Sequence, residues 1–106
     1  MLGEAVARSR NGRSEPRDEV LHRTRASRAD GSSVELVIVN ISARGLMARC
    51  DAPIEPGERI RVKLPEIGGV PTEVRWALGG RIGCRLNNMI PLDRYLVLLA
   101  VMAKPF

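Results

Sequence analysis

The sequence predicts an all-β domain with a C-terminal helix, arranged as a six-stranded antiparallel β-barrel. Three observations lead there. Short apolar–polar alternations recur between residues 20 and 86, Gly, Asp and Pro turns punctuate them, and no helical period intervenes. An apolar stretch at helical spacing then follows Pro91. A chain of 106 residues has material for one core.

Residues 1–18 carry no sustained periodicity and are rich in Arg, Ser, Gly and Asn, so they are expected to form a flexible basic N-terminal arm. From Val20 the pattern alternates. Val20, His22, Thr24 and Ala26 fall on one face and Leu21, Arg23 and Arg25 on the other, up to an Asp30-Gly31 hairpin turn. Val34–Ile41 is the strongest strand, a β-branched run entering Ser42-Ala43-Arg44-Gly45, where the glycine is expected to free the backbone for a turn.

Leu46–Cys50 returns as a strand, and Asp51–Gly57, with Pro53 and Pro56, reads as a loop. Arg59–Leu64 sets Ile60, Val62 and Leu64 against Arg59, Arg61 and Lys63, a core face against a solvent face. Gly68-Gly69 is expected to turn the chain into Val70–Leu78, and Gly79-Gly80 into Arg81–Leu86. Strands this short, with no crossover helices, favour a barrel whose edges close on each other over a parallel nucleotide-binding sheet.

Asn87-Asn88 ends the last strand, and Pro91-Leu92-Asp93 opens a helix with Leu92, Tyr95, Leu96, Leu99 and Met102 as its apolar stripe. Val97, Leu98 and Val101 widen that stripe beyond the needs of one barrel mouth, which predicts a homodimer through the helix. The expected organisation is an arm over 1–18, a barrel over 19–90, and a helix and tail over 91–106.

Composition narrows the function classes. Hydrophobic residues make up 44% and charged residues 27%, as in ordinary folded domains. The net charge of +5 is carried almost wholly by arginine, since Lys63 and Lys104 are the only lysines. Arginine forks suit phosphates and guanine edges. Seven arginines against three acids lie within residues 8–28, which concentrates positive charge near the N-terminal end.

Cys50 and Cys84 have no ligand pairs around them, so two buried free thiols and no metal are expected. The sole histidine, His22, lies in an arginine-rich strand without a Ser or Cys partner pattern, and the acids are dispersed, so an enzyme is not expected. The opening residues lack the apolar core of a signal peptide and the longest apolar run, Leu96–Ala103, is too short to span a bilayer. A cytoplasmic protein is expected.

Two motifs carry chemistry. Arg13-Ser14-Glu15-Pro16-Arg17 holds two arginines on a segment that Pro16 keeps extended at Glu15, and an arginine pair on a loop can fold over an anion. Asn40-Ile41-Ser42-Ala43-Arg44-Gly45 places an amide and a hydroxyl two residues apart, on the same side of an extended chain. The plainer readings are a solvated tail for the first and an Asn/Ser turn bonded to its own backbone for the second. Arg81 and Arg85 repeat the arginine spacing and are explained as the solvent-facing row of a strand.

Read together as RxxxR and NxSxxG in a small strand-rich domain, these motifs resemble those of the PilZ domain family of bacterial cyclic di-GMP receptors. The resemblance covers about residues 13–90 and extends to the Val74-Arg75-Trp76 and Gly83-Cys84-Arg85-Leu86 strands. It implies a PilZ-type barrel, cyclic di-GMP as ligand with no cofactor, and Arg13, Arg17, Asn40, Ser42 and Gly45 as the site, with Arg44 and Arg10 as further phosphate contacts. It also implies an adaptor whose arm changes conformation on binding and signals to a protein effector.

The chain departs from the family pattern in having Asn40 where many members have Asp and Arg44 where many have Gly. Gly12 also stands before the first arginine, where members that hold a stacked nucleotide pair tend to have another arginine. That leans toward one nucleotide per site. Two rival readings are a basic barrel that binds RNA or DNA and a PilZ domain that acts through protein contacts alone. Only Trp76, Tyr95 and Phe106 are aromatic, too few for a base-stacking stripe, so nucleic acid is disfavoured.

Overall fold

The computed structural model of the chain describes residues 16–103. Six strands and one helix follow in order: β1 (Asp18–Arg28), β2 (Ser33–Ile41), β3 (Gly45–Arg49), β4 (Arg59–Leu64), β5 (Gly68–Leu78), β6 (Arg81–Leu86) and α1 (Leu92–Met102). Every strand pairing is antiparallel, and the order β1-β2-β3-β6-β5-β4 closes into a barrel. Closure leaves no unpaired edge.

The alternation in the sequence becomes the wall. Val20 and Ala26 of β1, Val34, Leu36 and Ile38 of β2, and Ile60, Val62 and Leu64 of β4 point into the core, while Arg23, Arg25, Arg59, Arg61 and Lys63 face solvent. His22 is half-buried on β1. Cys50 and Cys84 are buried free thiols, as expected. Burial pushes the Cys84 thiol up to about 12, which keeps it protonated and inert.

β3 pairs with β6 and β4 with β1, so the chain must cross the barrel between β3 and β4. Residues 50–58 make that crossing at the end opposite the β2–β3 hairpin. Ile54 is buried there, and Glu58 arrives beside Arg28. The pair is bidentate, Nε to Oε2 at 2.7 Å and Nη2 to Oε1 at 3.0 Å. The Arg28 guanidinium holds the Glu58 carboxyl below its ordinary value.

Two expectations need correction. The turn before β5 is Pro65-Glu66-Ile67, and Gly68 and Gly69 already pair with Leu64 and Lys63 of β4. Glu66 takes a left-handed φ of 69° there, a conformation more usual for glycine and invisible in a composition pattern. The helix buries Tyr95, Leu98 and Met102, whereas Leu92 and Leu96 of the expected stripe are exposed. A helix apolar on nearly all sides gives no clear phase. The Tyr95 hydroxyl supplies it by bonding the barrel.

The barrel begins at Asp18, one residue before the expected boundary. Most of the expected arm, including Arg10 and Arg13, lies outside the described residues, as does the tail beyond 103. Among the described residues no helix is long and apolar enough to cross a membrane.

Candidate functional site

The site forms where β1 begins, β2 ends and β3 returns. β2 turns Val34, Leu36 and Ile38 inward, and strict alternation would send Asn40 in after them. A bulge between Ile38 and Asn40 in the β2–β3 register inserts one residue on β2, so the next buried side chain is Ile41. Asn40 is left half-buried beside Met47 of β3, its Nδ2 lying 3.6 Å from the Met47 sulfur. The bulge aims the amide sideways along the barrel wall.

Arg17 enters from the other side. It stands just before β1, whose first residues Asp18 and Glu19 pair with Ile41 and Asn40. Its Nη1 donates to Asn40 Oδ1 at 2.9 Å. One arginine of the first motif and the leading residue of the second are thereby joined across the β1–β2 pairing. Arg17 is exposed, and its other guanidinium hydrogens make no bond among the described residues.

Ser42 and Gly45 serve the turn itself. Ser42 is 4% exposed, and its Oγ accepts from the backbone N–H groups of Gly45 at 3.2 Å and Arg44 at 3.3 Å. Ser42 N–H donates to the Gly45 carbonyl at 2.8 Å. The expectation that Asn40 and Ser42 share one outward side is therefore corrected: the chain leaves the strand for the turn at Ser42, and the hydroxyl is used inside the hairpin.

Gly45 needs no left-handed backbone. A Cβ there would meet the Cys84 carbonyl oxygen at 2.6 Å, so glycine lets the β6 backbone close on β3. That replaces the expected role in turning the chain. Arg44 is exposed at the hairpin tip, its carbonyl held by the Leu86 N–H at 2.8 Å. Ala43 O accepts from Ile90 N–H at 2.9 Å, so the segment after β6 also bolts the hairpin down.

Sequence reasoning missed one part of the site. The Tyr95 hydroxyl of α1 donates to Asp18 Oδ2 at 2.6 Å and reaches the Ile41 carbonyl at 2.9 Å. Asp18 follows Arg17 and Ile41 follows Asn40, so the helix grips both strands one residue from the residues that meet. A bond between positions this far apart in sequence leaves no local signal. Among the described residues no group of three or more His, Cys, Asp or Glu is placed to hold a metal.

Other proteins share this arrangement of strands. The PilZ domain of YcgR from Escherichia coli, solved with c-di-GMP, superposes with a TM-score of 0.62 at 16% identity, over 87% of this chain and 89% of that one. The PilZ domain of CeSA from a cellulose-synthesizing bacterium superposes with a TM-score of 0.56 at 19% identity, over 82% and 94%. Identities this low speak for the fold alone. No curated protein matched the sequence. The sequence model of the PilZ domain matches residues 11–100, which takes in both motifs, the whole barrel and most of the helix, and the chain therefore belongs to the PilZ domain family.

Proposed function

We propose that this chain is a binding module for cyclic di-GMP in the bacterial cytoplasm, and that the nucleotide draws the N-terminal arm onto the barrel wall. The changed surface then alters contact with an effector protein. One observation carries the reading: Arg17 rests on the Asn40 amide at 2.9 Å with most of its fork unused. A guanidinium so placed is pre-oriented for a guanine edge or a phosphate at little cost in side-chain order. Arg13 is the second arginine of the clamp in this reading, and Asn40 contributes its amide. Ser42 and Gly45 contribute by fixing the turn. Arg44, at the hairpin tip, and Arg10 complete the anion contacts. The YcgR domain was solved with c-di-GMP, which supports the choice of ligand.

Asn40 has no carboxylate with which to receive two guanine N–H groups, so the arginines carry more of the recognition than in members with Asp. Binding is the whole chemistry proposed, without catalysis or a cofactor. The exposed apolar row Leu92, Leu96, Val97 and Val101 of α1 is the proposed seat of a homodimer. Sedimentation showing only monomer at high micromolar concentration contradicts that part.

Titration calorimetry with cyclic di-GMP, GTP and a short RNA tests the reading. Saturable heat with the cyclic dinucleotide alone is the expected result. Tight RNA binding with no heat from cyclic di-GMP would establish the nucleic-acid alternative instead.

A further inference from the structure

The Asn40 amide is held between two partners of unlike chemistry. Its Nδ2 donates to the Met47 sulfur at 3.6 Å, and no oxygen takes that hydrogen bond among the described residues. A thioether is a weak acceptor and has no donor of its own. On the other side of the amide, Arg17 Nη1 donates to Oδ1 at 2.9 Å. A guanidinium only donates, so the atom it meets is the amide oxygen, and the nitrogen is left for the sulfur. The two contacts specify one orientation.

Turned over, the amide would fail on both sides. Its oxygen would face the sulfur with no hydrogen between two acceptors, and its nitrogen would set N–H groups against those of Arg17. A carboxylate at this position would have no orientation to keep, because its two oxygens are equivalent. An asparagine needs something to hold it.

The two partners differ in how firmly they stand. Arg17 is exposed, precedes β1 and is tied to the barrel through that one bond. Met47 is half-buried at the centre of β3, opposite Asn40 in the β2–β3 register and flanked by the fully buried Leu46 and Ala48. Directly opposite residues on paired strands have Cβ atoms about 5 Å apart, within easy reach of this contact. Beyond it, Met47 faces Gly83 of β6, which carries no side chain and is covered by the Trp76 ring. No second donor reaches the sulfur among the described residues.

A ligand makes this difference count. When cyclic di-GMP takes the Arg17 fork, the arginine turns to the nucleotide and Met47 is the fixed partner that remains. The pairing edge of guanine carries N–H donors, which an oxygen turned toward the clamp can receive and an amide nitrogen would oppose.

We propose that Met47 is a positioning residue of the nucleotide site: its sulfur keeps the Asn40 amide with Oδ1 toward the clamp after Arg17 has turned to the nucleotide. This rests on the cyclic di-GMP reading above and adds to it the residue that lets an asparagine serve guanine where a carboxylate is absent.

The test is a double-mutant cycle read by calorimetry with cyclic di-GMP. Met47→Leu keeps the volume and removes the acceptor, and is expected to lose about threefold to tenfold in affinity, the worth of one modest hydrogen bond. In the Asn40→Asp background the same change is expected to leave affinity as it was, because a carboxylate has no wrong way round. Wild-type affinity in the folded Met47→Leu chain would overturn the proposal. An equal loss in both backgrounds would do so too, by making Met47 a packing or contact residue, and so would loss of binding in Asn40→Asp alone.

A second readout needs no ligand. The chain has four asparagines and no glutamine, so the Asn40 side-chain amide is one of few such NMR signals. Its 1H–15N NOE is expected to stay high in Arg17→Ala, where Met47 alone holds it, and to fall in Arg17→Ala/Met47→Leu. Equal order in the two chains would overturn the role of the sulfur and leave the ligand reading standing. No heat from cyclic di-GMP in the wild-type chain would overturn that reading and the positioning role with it, while the NOE would still report the Met47 contact separately.

Discussion

Arg17 and Arg28 stand at the two ends of β1 and are bound in opposite ways. Arg28 is locked to Glu58 by two charge-assisted bonds, with the side chains only 25% and 20% exposed. Arg17 makes a single bond to a neutral amide and is open to water. A bidentate ion pair uses an arginine up, because the fork and its charge are both answered. A single amide bond only steers it. One arginine thus ties the end of β1 to the crossing segment, and the other, just before β1, keeps most of its fork open.

The comparison breaks most visibly at Arg17. Arg17→Ala is expected to lower cyclic di-GMP affinity by roughly a hundredfold, the scale of a lost charge-assisted contact, while the thermal midpoint stays in place. Unfolding of that variant would make Arg17 structural and erase the contrast. Gly45→Ala acts in the reverse sense. The new Cβ meets the Cys84 carbonyl at 2.6 Å, and the clash should cost about 1–3 kcal/mol of stability by urea unfolding. An unchanged midpoint would show that β3 and β6 can part freely.

Arg28→Ala should lower the thermal midpoint at neutral pH and leave nucleotide affinity unchanged. The pH dependence follows from the lowered folded-state value of Glu58. Its stabilisation is fully present above the ordinary carboxylate value of 4.5 and is lost as pH falls through the lower, folded value. Glu58→Gln is expected to flatten that acid-side fall, and an identical acid profile in the variant would contradict it. The smallest effect is assigned to Tyr95→Phe, which deprives Asp18 and Ile41 of a shared donor. About 1 kcal/mol of stability should go, measured by urea unfolding, with slower loss of affinity than at Arg17.

The barrel was legible because its strands alternate cleanly. Ile60, Val62 and Leu64 against Arg59, Arg61 and Lys63 admit one orientation only. The geometry of the candidate site was less legible than its residue types. Bulges leave no mark in composition, so the rotation of Asn40 away from the core phase could not be read, nor could the use of Ser42 inside its own hairpin. The phase of α1 was hidden for a different reason: in Leu-Val-Leu-Leu-Ala-Val the burial is set by one hydroxyl, and its partners Asp18 and Ile41 are far away in sequence. The place of Trp76 over Gly83 is equally invisible in the sequence, because only the pairing register brings the two together.

One paired experiment tests the contrast between the two ends of β1. Wild-type, Arg17→Ala and Arg28→Ala chains are titrated calorimetrically with cyclic di-GMP at neutral pH, each with a thermal melt of the same sample. The account predicts that Arg17→Ala loses the nucleotide and keeps its midpoint, and that Arg28→Ala keeps the nucleotide and melts earlier. Wild-type affinity in Arg17→Ala, or loss of binding in an Arg28→Ala chain that is still folded, would contradict it.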